Sequence, residues 1–200
     1  MTRRLVLASA SPARLRLLRA AGIEPIVDVS GVDESAVTAA DPWALVQELA
    51  TAKARVVAAR RTADEIVLGC DSMLLLDGAS YGKPATVQDA VGRWQRMRGR
   101  TASLLTGHCL IDVASGRCES GVADTVVRFG TPSDDEISAY VATGEPLQVA
   151  GAFTLDGLSA PFVDGVEGDP SNVIGLSLPL LRELLMRHGV AIMELWTSGP

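Results

Sequence analysis

Asp71 stands in the run IVLGCDSMLLL, where almost every neighbour is apolar. A lone carboxylate in such a place either neutralises or takes a partner: a lysine, a metal ion or several hydrogen-bond donors. Two roles fit it, a strand-end carboxylate capping a neighbouring turn, or a metal ligand or general base at the edge of a cleft. Lys53 recurs at the helical spacing of Leu45 and Leu49, on an apolar face flanked one turn later by Val56 and Val57. Its stem can carry the ammonium out to water, or the ammonium can reach the same cleft as Asp71. Lys83 belongs to YGKPAT, where the proline keeps the preceding segment extended and the lysine on a loop. The segment is not a P-loop, because Gly78 and Gly82 stand too close and Pro84 occupies the place of the metal-binding hydroxyl.

The stretch LASASPARLRLLRAAG, Leu7 to Gly22, is a short apolar strand running into a helix, with Ser11 as N-cap, Pro12 at the first helical position and Gly22 past the end. A first helical turn favours acids, yet this one holds Arg14 and Arg16 and no carboxylate. Either both guanidinium groups point to water, or an anion sits there. Serine hydroxyls, unpaired N–H groups and a guanidinium together make a phosphate cradle. The chemistry-bearing set is therefore Ser9, Ser11, Arg14, Lys53 and Lys83, with Asp33, Glu34 and Asp71, an inventory that suits a polyphosphate with a divalent cation. Two histidines, His108 and His188, lack ligand spacing, and no GxSxG or strand-following GxGxxG occurs, which leaves zinc-hydrolase, Ser-His-Asp and dinucleotide readings without support.

The elements that must position these residues follow from caps and periodicity. GIEPIVDVSGVDES predicts a second strand breaking into a loop with Asp33 and Glu34, and Asp41-Pro42 opens a long helix to about Arg61. IVLGCDSMLLLDG predicts a strand ending at the Asp77-Gly78 turn. Thr86 with Asp89 resembles a capping box for a helix ending near Gly99, and Ser133 with Glu136 caps another through Tyr140. TASLLTGHCLIDV and ESGVADTVVRF predict paired strands around the Ser115-Gly116 turn, AGAFTLDG and PFVDGVEGD a further pair, and SLPLLRELLMRHG a closing amphipathic helix. Strands and helices mix without a strict βαβ rhythm, as in an α/β or α+β fold with a mixed sheet.

Two hundred residues with 48% hydrophobic content can bury a real core and suit one domain, residues 1–200, or two closely joined lobes. The net charge of -6 and 4% aromatic content argue against nucleic acid as a partner. No segment approaches the roughly 18 to 20 apolar residues of a membrane span, and MTRRLVLASAS leads into a helix signal rather than a cleavage site. A soluble, cytoplasmic protein is expected. Cys70, Cys109 and Cys118 form no CxxC pair and suggest neither a disulfide framework nor a zinc site. The tail AIMELWTSGP is apolar enough to pack on a partner or on its own domain.

Along nearly the whole chain the sequence resembles the Maf proteins, nucleoside triphosphate pyrophosphatases related in fold to inosine-triphosphate pyrophosphatases. LASASPARLRLL is similar to the family's opening motif, and VDES, ELATAKA, VLGCDSMLLLDG, GKP, LLTG, YVATGEP, AGAF and GDPSNVIGLSLPLL follow in the family's order. The resemblance implies an elongated, twisted mixed sheet flanked by helices, two lobes with a central cleft and, often, a homodimer. It implies Mg²⁺- or Mn²⁺-dependent cleavage between the α and β phosphates of a nucleoside triphosphate. By motif position Asp71 is the catalytic acid and touches the metal, Glu34 is the loop carboxylate and second metal ligand, and Lys53 and Lys83 join Ser9, Ser11 and Arg14 around the phosphates.

Three changes set the sequence apart from the members of this family that act on dTTP and UTP: Ala13 replaces the first of two arginines, Gln148-Val149 an Asp-Lys pair, and Asp156 a glutamine. These resemble the branch that prefers 7-methyl-GTP, whose positively charged purine suits an added carboxylate, Asp156. The resemblance also implies an alternative, a nucleotide-binding regulator of septum formation and cell division with little turnover.

Overall fold

The computed structural model describes residues 3–197, so the first two and last three residues of the expected domain, and the end of the apolar tail, lie outside the described residues. Seven strands form one mixed sheet in the order β2-β1-β3-β5-β6-β7, with β4 paired to β3. They are β1 Arg4–Leu7, β2 Ile26–Val27, β3 Glu65–Leu76, β4 Ala79–Tyr81, β5 Thr101–Asp112, β6 Cys118–Phe129 and β7 Val163–Glu167. The helices are α1 Pro12–Ala20, α2 Pro42–Ala58, α3 Val87–Met97, α4 Asp134–Ala142, α5 Pro170–Ile174 and α6 Leu178–Arg187. Contacts divide the chain into two compact units.

The first unit takes in the chain up to Asp71, Thr106–Ala123 and the chain from Gly175. Here β1 lies parallel to both β2 and β3, and a parallel sheet is covered on both faces, which is why its strands read as continuous apolar runs. Alternation sorts the side chains: Leu5, Leu7, Ile66, Leu68 and Leu110 pack with Leu18 of α1 and with Leu181, Leu184 and Leu185 of α6. Val6, Ala8, Val67 and Cys109 face the other way, against Ala50, Ala54 and Val57 of α2. Ser11 caps α1 and Asp41 caps α2, each followed by the proline that the sequence signals. Helix α2 buries Val46, Leu49, Ala50, Lys53, Ala54 and Val57. The buried stripe is thus turned from the Leu45 line expected from periodicity, and Val56 is 43% exposed. The helix stops at Ala58, short of Arg61, because Ala59 to Arg61 form a turn that delivers Arg61 to Glu65 at 2.9 Å.

The second unit comprises Ser72–Leu105 and Asp124–Ile174. Asp77 and Gly78 take φ of 51° and 79°, and these left-handed values build the tight hairpin between β3 and β4. Its core gathers around Trp94 of α3, edge-on to Phe129, Tyr140 and Phe162. The Ser133 and Glu136 capping box of α4 is complete, and α4 runs two residues past Tyr140. At α3 only half of the expected box forms: Thr86 accepts from the Asp89 N–H, while the Asp89 carboxylate accepts from Ala85 instead. AGAF forms no strand; Gly151 takes φ of 70° in a tight turn, and β7 pairs with β6 alone. The reason is packing, since a Cβ on Gly151 would stand 2.8 Å from Leu74, so this backbone crosses too close to β3 for a pleated strand.

Candidate active site

Strand β3 carries Asp71 to the end of its first-unit segment on the same face as Val67 and Gly69, the face that α2 covers. Gly69 is what lets α2 come down: a Cβ there would stand 2.2 Å from the Ala50 carbonyl oxygen and 2.8 Å from the Ala54 nitrogen. On β5, Gly107 plays the same part beneath Val46. The close approach brings Lys53 within reach of Asp71, and Lys53 Nζ donates to Asp71 Oδ1 at 2.5 Å. A second carboxylate reaches the same ammonium from the loop, Glu34 Oε1 at 2.6 Å. Lys53 and Asp71 are buried, 8% and 7% exposed, whereas the Glu34 side chain is 59% exposed. Lys53 therefore does not run out to water, and Asp71 does not cap a turn.

Burial pushes the Asp71 carboxyl above the ordinary carboxylate range; the Lys53 charge opposes that rise and the Glu34 charge adds to it. A carboxylate of raised basicity paired to a lysine is equipped to orient a water molecule and take its proton.

Beside this pair lies the start of α1. The Ser11 hydroxyl accepts the Arg14 N–H at 3.4 Å, the Ser9 hydroxyl accepts the Ser11 N–H at 3.2 Å, and a pair of hydroxyls thus lines the helix N-terminus. Arg14 is buried rather than pointing to water. Its Nε donates to the Gly175 carbonyl at 2.7 Å, and its Nη1 donates to Ser9 Oγ and the Cys70 carbonyl, each at 3.0 Å. The guanidinium ties the Ser9 loop to the strand residue before Asp71 and to the turn ahead of α6, while Arg16 is exposed. The structure thus brings Ser9, Ser11, Arg14, Glu34, Lys53 and Asp71 into one neighbourhood of the first unit.

Lys83 and Asp156 belong to the second unit. Lys83 is exposed on the loop after β4, and among the described residues its ammonium makes no ion pair. The loop itself is held: the Gly82 carbonyl accepts from Arg93 Nη1 at 2.6 Å and from the Gly151 N–H at 3.0 Å, so the GKP and AGAF motifs are joined through backbone. Asp156 Oδ1 accepts from the Thr154 hydroxyl at 2.5 Å in a loop braced by Glu145, which accepts the Leu158 N–H and the Tyr140 hydroxyl, each at 3.0 Å.

Two positioning residues escape the sequence reading. Arg93 has an i,i+4 partner in Asp89 that is visible in the sequence, yet nothing there signals its grip on Gly82. His108, fully buried on β5, bonds the Thr106 carbonyl through Nδ1 and accepts the Ser177 N–H on Nε2, each at 3.0 Å, which steadies the turn whose Gly175 carbonyl receives Arg14.

A buried carboxylate and lysine, a loop carboxylate and a hydroxyl-lined helix start, set on a mixed α/β sheet, have the chemistry to hold an anion and to orient a water molecule beside it. The chain belongs to the Maf-like protein family, whose model matches residues 4–188. It is 65% identical to a nucleoside triphosphate pyrophosphatase of Streptomyces coelicolor, over 98% of this chain and 96% of that one. Proteins of the same name from Streptomyces avermitilis and Salinispora tropica are 60% and 58% identical, each over 98% of this chain and over 95% and 88% of theirs.

Proposed function

We propose that this chain is a nucleoside triphosphate pyrophosphatase that cleaves the α–β phosphate bond to give a nucleoside monophosphate and pyrophosphate. The observation that carries it is the buried Asp71–Lys53 pair with Glu34 on the same ammonium, in a chain whose 65%-identical relative bears that name. Asp71 orients a water molecule and takes its proton as the oxygen attacks the α phosphorus. Lys53 and Lys83 offset charge on the departing pyrophosphate, and Ser9, Ser11 and the α1 N-terminus bind phosphate oxygens. Arg14, through its bonds to Ser9 and the two carbonyls, keeps that cradle in shape and adds positive charge to it.

The residues present fit a divalent cation: two carboxylate oxygens, from Asp71 and Glu34, converge on one cationic centre at 2.5 and 2.6 Å, and oxygen donors suit Mg²⁺ or Mn²⁺. When bound, such an ion would draw negative charge off the triphosphate. Among the described residues no group of three or more His, Cys, Asp or Glu side chains gathers, so substrate and water would supply the remaining ligands. For the base we propose 7-methyl-GTP, with Asp156 meeting the positive purine; Asp156→Asn should then reduce the preference for 7-methyl-GTP over GTP.

Pyrophosphate release from a panel of canonical and modified nucleoside triphosphates with Mg²⁺ tests the activity. Asp71→Asn should lower turnover about 10²- to 10⁴-fold. Near wild-type turnover in that variant would remove Asp71 from the chemistry. Binding without release from the wild-type chain would favour the regulator.

A further inference from the structure

Cys109 and Cys118 stand at facing ends of the β5–β6 hairpin, and the fold brings their sulfurs to 3.1 Å. That separation is well inside the van der Waals contact of two sulfurs, yet the thiols are free. The two differ in access. Cys109 is fully buried on the face that packs under α2, whereas Cys118, at the start of β6 and beyond the stretch that β7 pairs, is exposed. Burial, and then the contact with Cys118, push the Cys109 thiol up, which disfavours its thiolate. Cys70 is sealed in the core and its thiol is pushed up to about 11 by burial, which leaves it inert.

We propose that Cys109 and Cys118 form an oxidisable dithiol, a modification site in which exposed Cys118 meets a peroxide and buried Cys109 resolves it to an intramolecular disulfide. The Cys118 thiolate attacks the O–O bond of hydrogen peroxide, giving a sulfenic acid and releasing water once the leaving hydroxide takes up a proton. Cys109 sulfur then attacks the sulfenic sulfur, its proton leaves with the departing hydroxyl as a second water, and the S–S bond forms. Two thiols and one peroxide thus become one disulfide and two waters, with two electrons passed from sulfur to oxygen. A neighbour this close outcompetes further oxidation of Cys118 and keeps the modification reversible by a dithiol reductant. The site lies outside the phosphate chemistry, so its test does not depend on the nucleotide assignment.

The folded full chain is treated with near-stoichiometric hydrogen peroxide at neutral pH, blocked with a thiol alkylator, unfolded and digested with trypsin. Cleavage after Arg117 separates the two cysteines, so the disulfide appears as residues 101–117 joined to 118–128. Free thiols of the unfolded protein should fall from three to one and return on reduction. In Cys109→Ser the sulfenic acid should persist long enough to be trapped by a dimedone probe, and in Cys118→Ser the remaining thiols should resist the same peroxide dose. Three outcomes would overturn the proposal: sulfinic or sulfonic Cys118 beside a free Cys109, a Cys118 disulfide between two chains, or equal thiol loss in Cys118→Ser.

Discussion

One ammonium serves two carboxylates in this protein, and the cost of that arrangement falls on Asp71. Burial raises its carboxyl, which means that its ionised form is disfavoured in the folded chain. By linkage, a raised acid gives stability that is fully present below its unfolded value and lost as pH rises through its folded value. In the proposed mechanism the ionised form takes the proton, so the acid limb of kcat/KM should lie above the range of an ordinary carboxylate. Lys53 is the main opposing influence. Removing its charge in Lys53→Met should therefore move the acid limb of the residual activity to still higher pH, as well as lowering the rate, and a pH profile of pyrophosphate release reads both. An unmoved limb would mean that Asp71 is not the group whose ionisation the rate follows. Motif position picked out both residues in the sequence; the sequence left open whether Lys53 snorkels, because a helical stripe says which face is apolar and not what faces it.

Helix α2 does more than supply Lys53; its distance from the sheet sets whether Lys53 can reach. That distance rests on two glycines without side chains, Gly69 and Gly107, where a Cβ would stand 2.2 and 2.1 Å from α2 carbonyl oxygens. Backbone cannot give way as a side-chain tip does, so Gly69→Ala or Gly107→Ala should force the helix outward, costing about 1–3 kcal/mol in urea unfolding as an overpacked core. Activity should fall with it, since Asp71 and Lys53 separate. Gly92 in α3 is the contrast: nothing lies within 4 Å of its added Cβ, and Gly92→Ala should stabilise by about 1 kcal/mol through helix propensity alone. If all three variants behaved alike, close approach would not be what sets α2. Elements with strong caps, such as α1, α4 and α6, were legible in the sequence within two residues at each end. The AGAF segment was not, because its apolar residues fit a strand as well as a buried turn and only the proximity of Leu74 decides between them.

For the whole molecule the testable quantity is the stability that a ligand adds. A triphosphate with Mg²⁺ at a hundred times its dissociation constant should stabilise by about 2.7 kcal/mol. In a chain of this size that corresponds to a rise in Tm of about 5–10 °C. Asp71→Asn, which should bind without turning over, is the form in which to measure it, across the same nucleotide panel. A shift with 7-methyl-GTP larger than with UTP or dTTP would support the proposed base, and no shift with any of them would remove the triphosphate site. Among the described residues no helix is long and apolar enough to cross a membrane.

The sequence by itself determined the local features: the capped helices, the Asp77-Gly78 hairpin, and the presence of a carboxylate and lysines among apolar residues that must be paired to persist. It carried the family too, since nine motifs in order identify it. Local signals are legible because caps, turns and periodicity involve residues a few positions apart. Only the tertiary structure decided which partners meet: Lys53 with both Asp71 and Glu34, Arg14 turned inward onto Ser9 and the Cys70 and Gly175 carbonyls, Arg93 on Gly82, and Cys109 against Cys118. Each of these joins segments whose meeting depends on strand order, on which face of a strand a residue takes, and on how closely two backbones approach. Spacing along the chain encodes none of those distances until the sheet and its helices have packed.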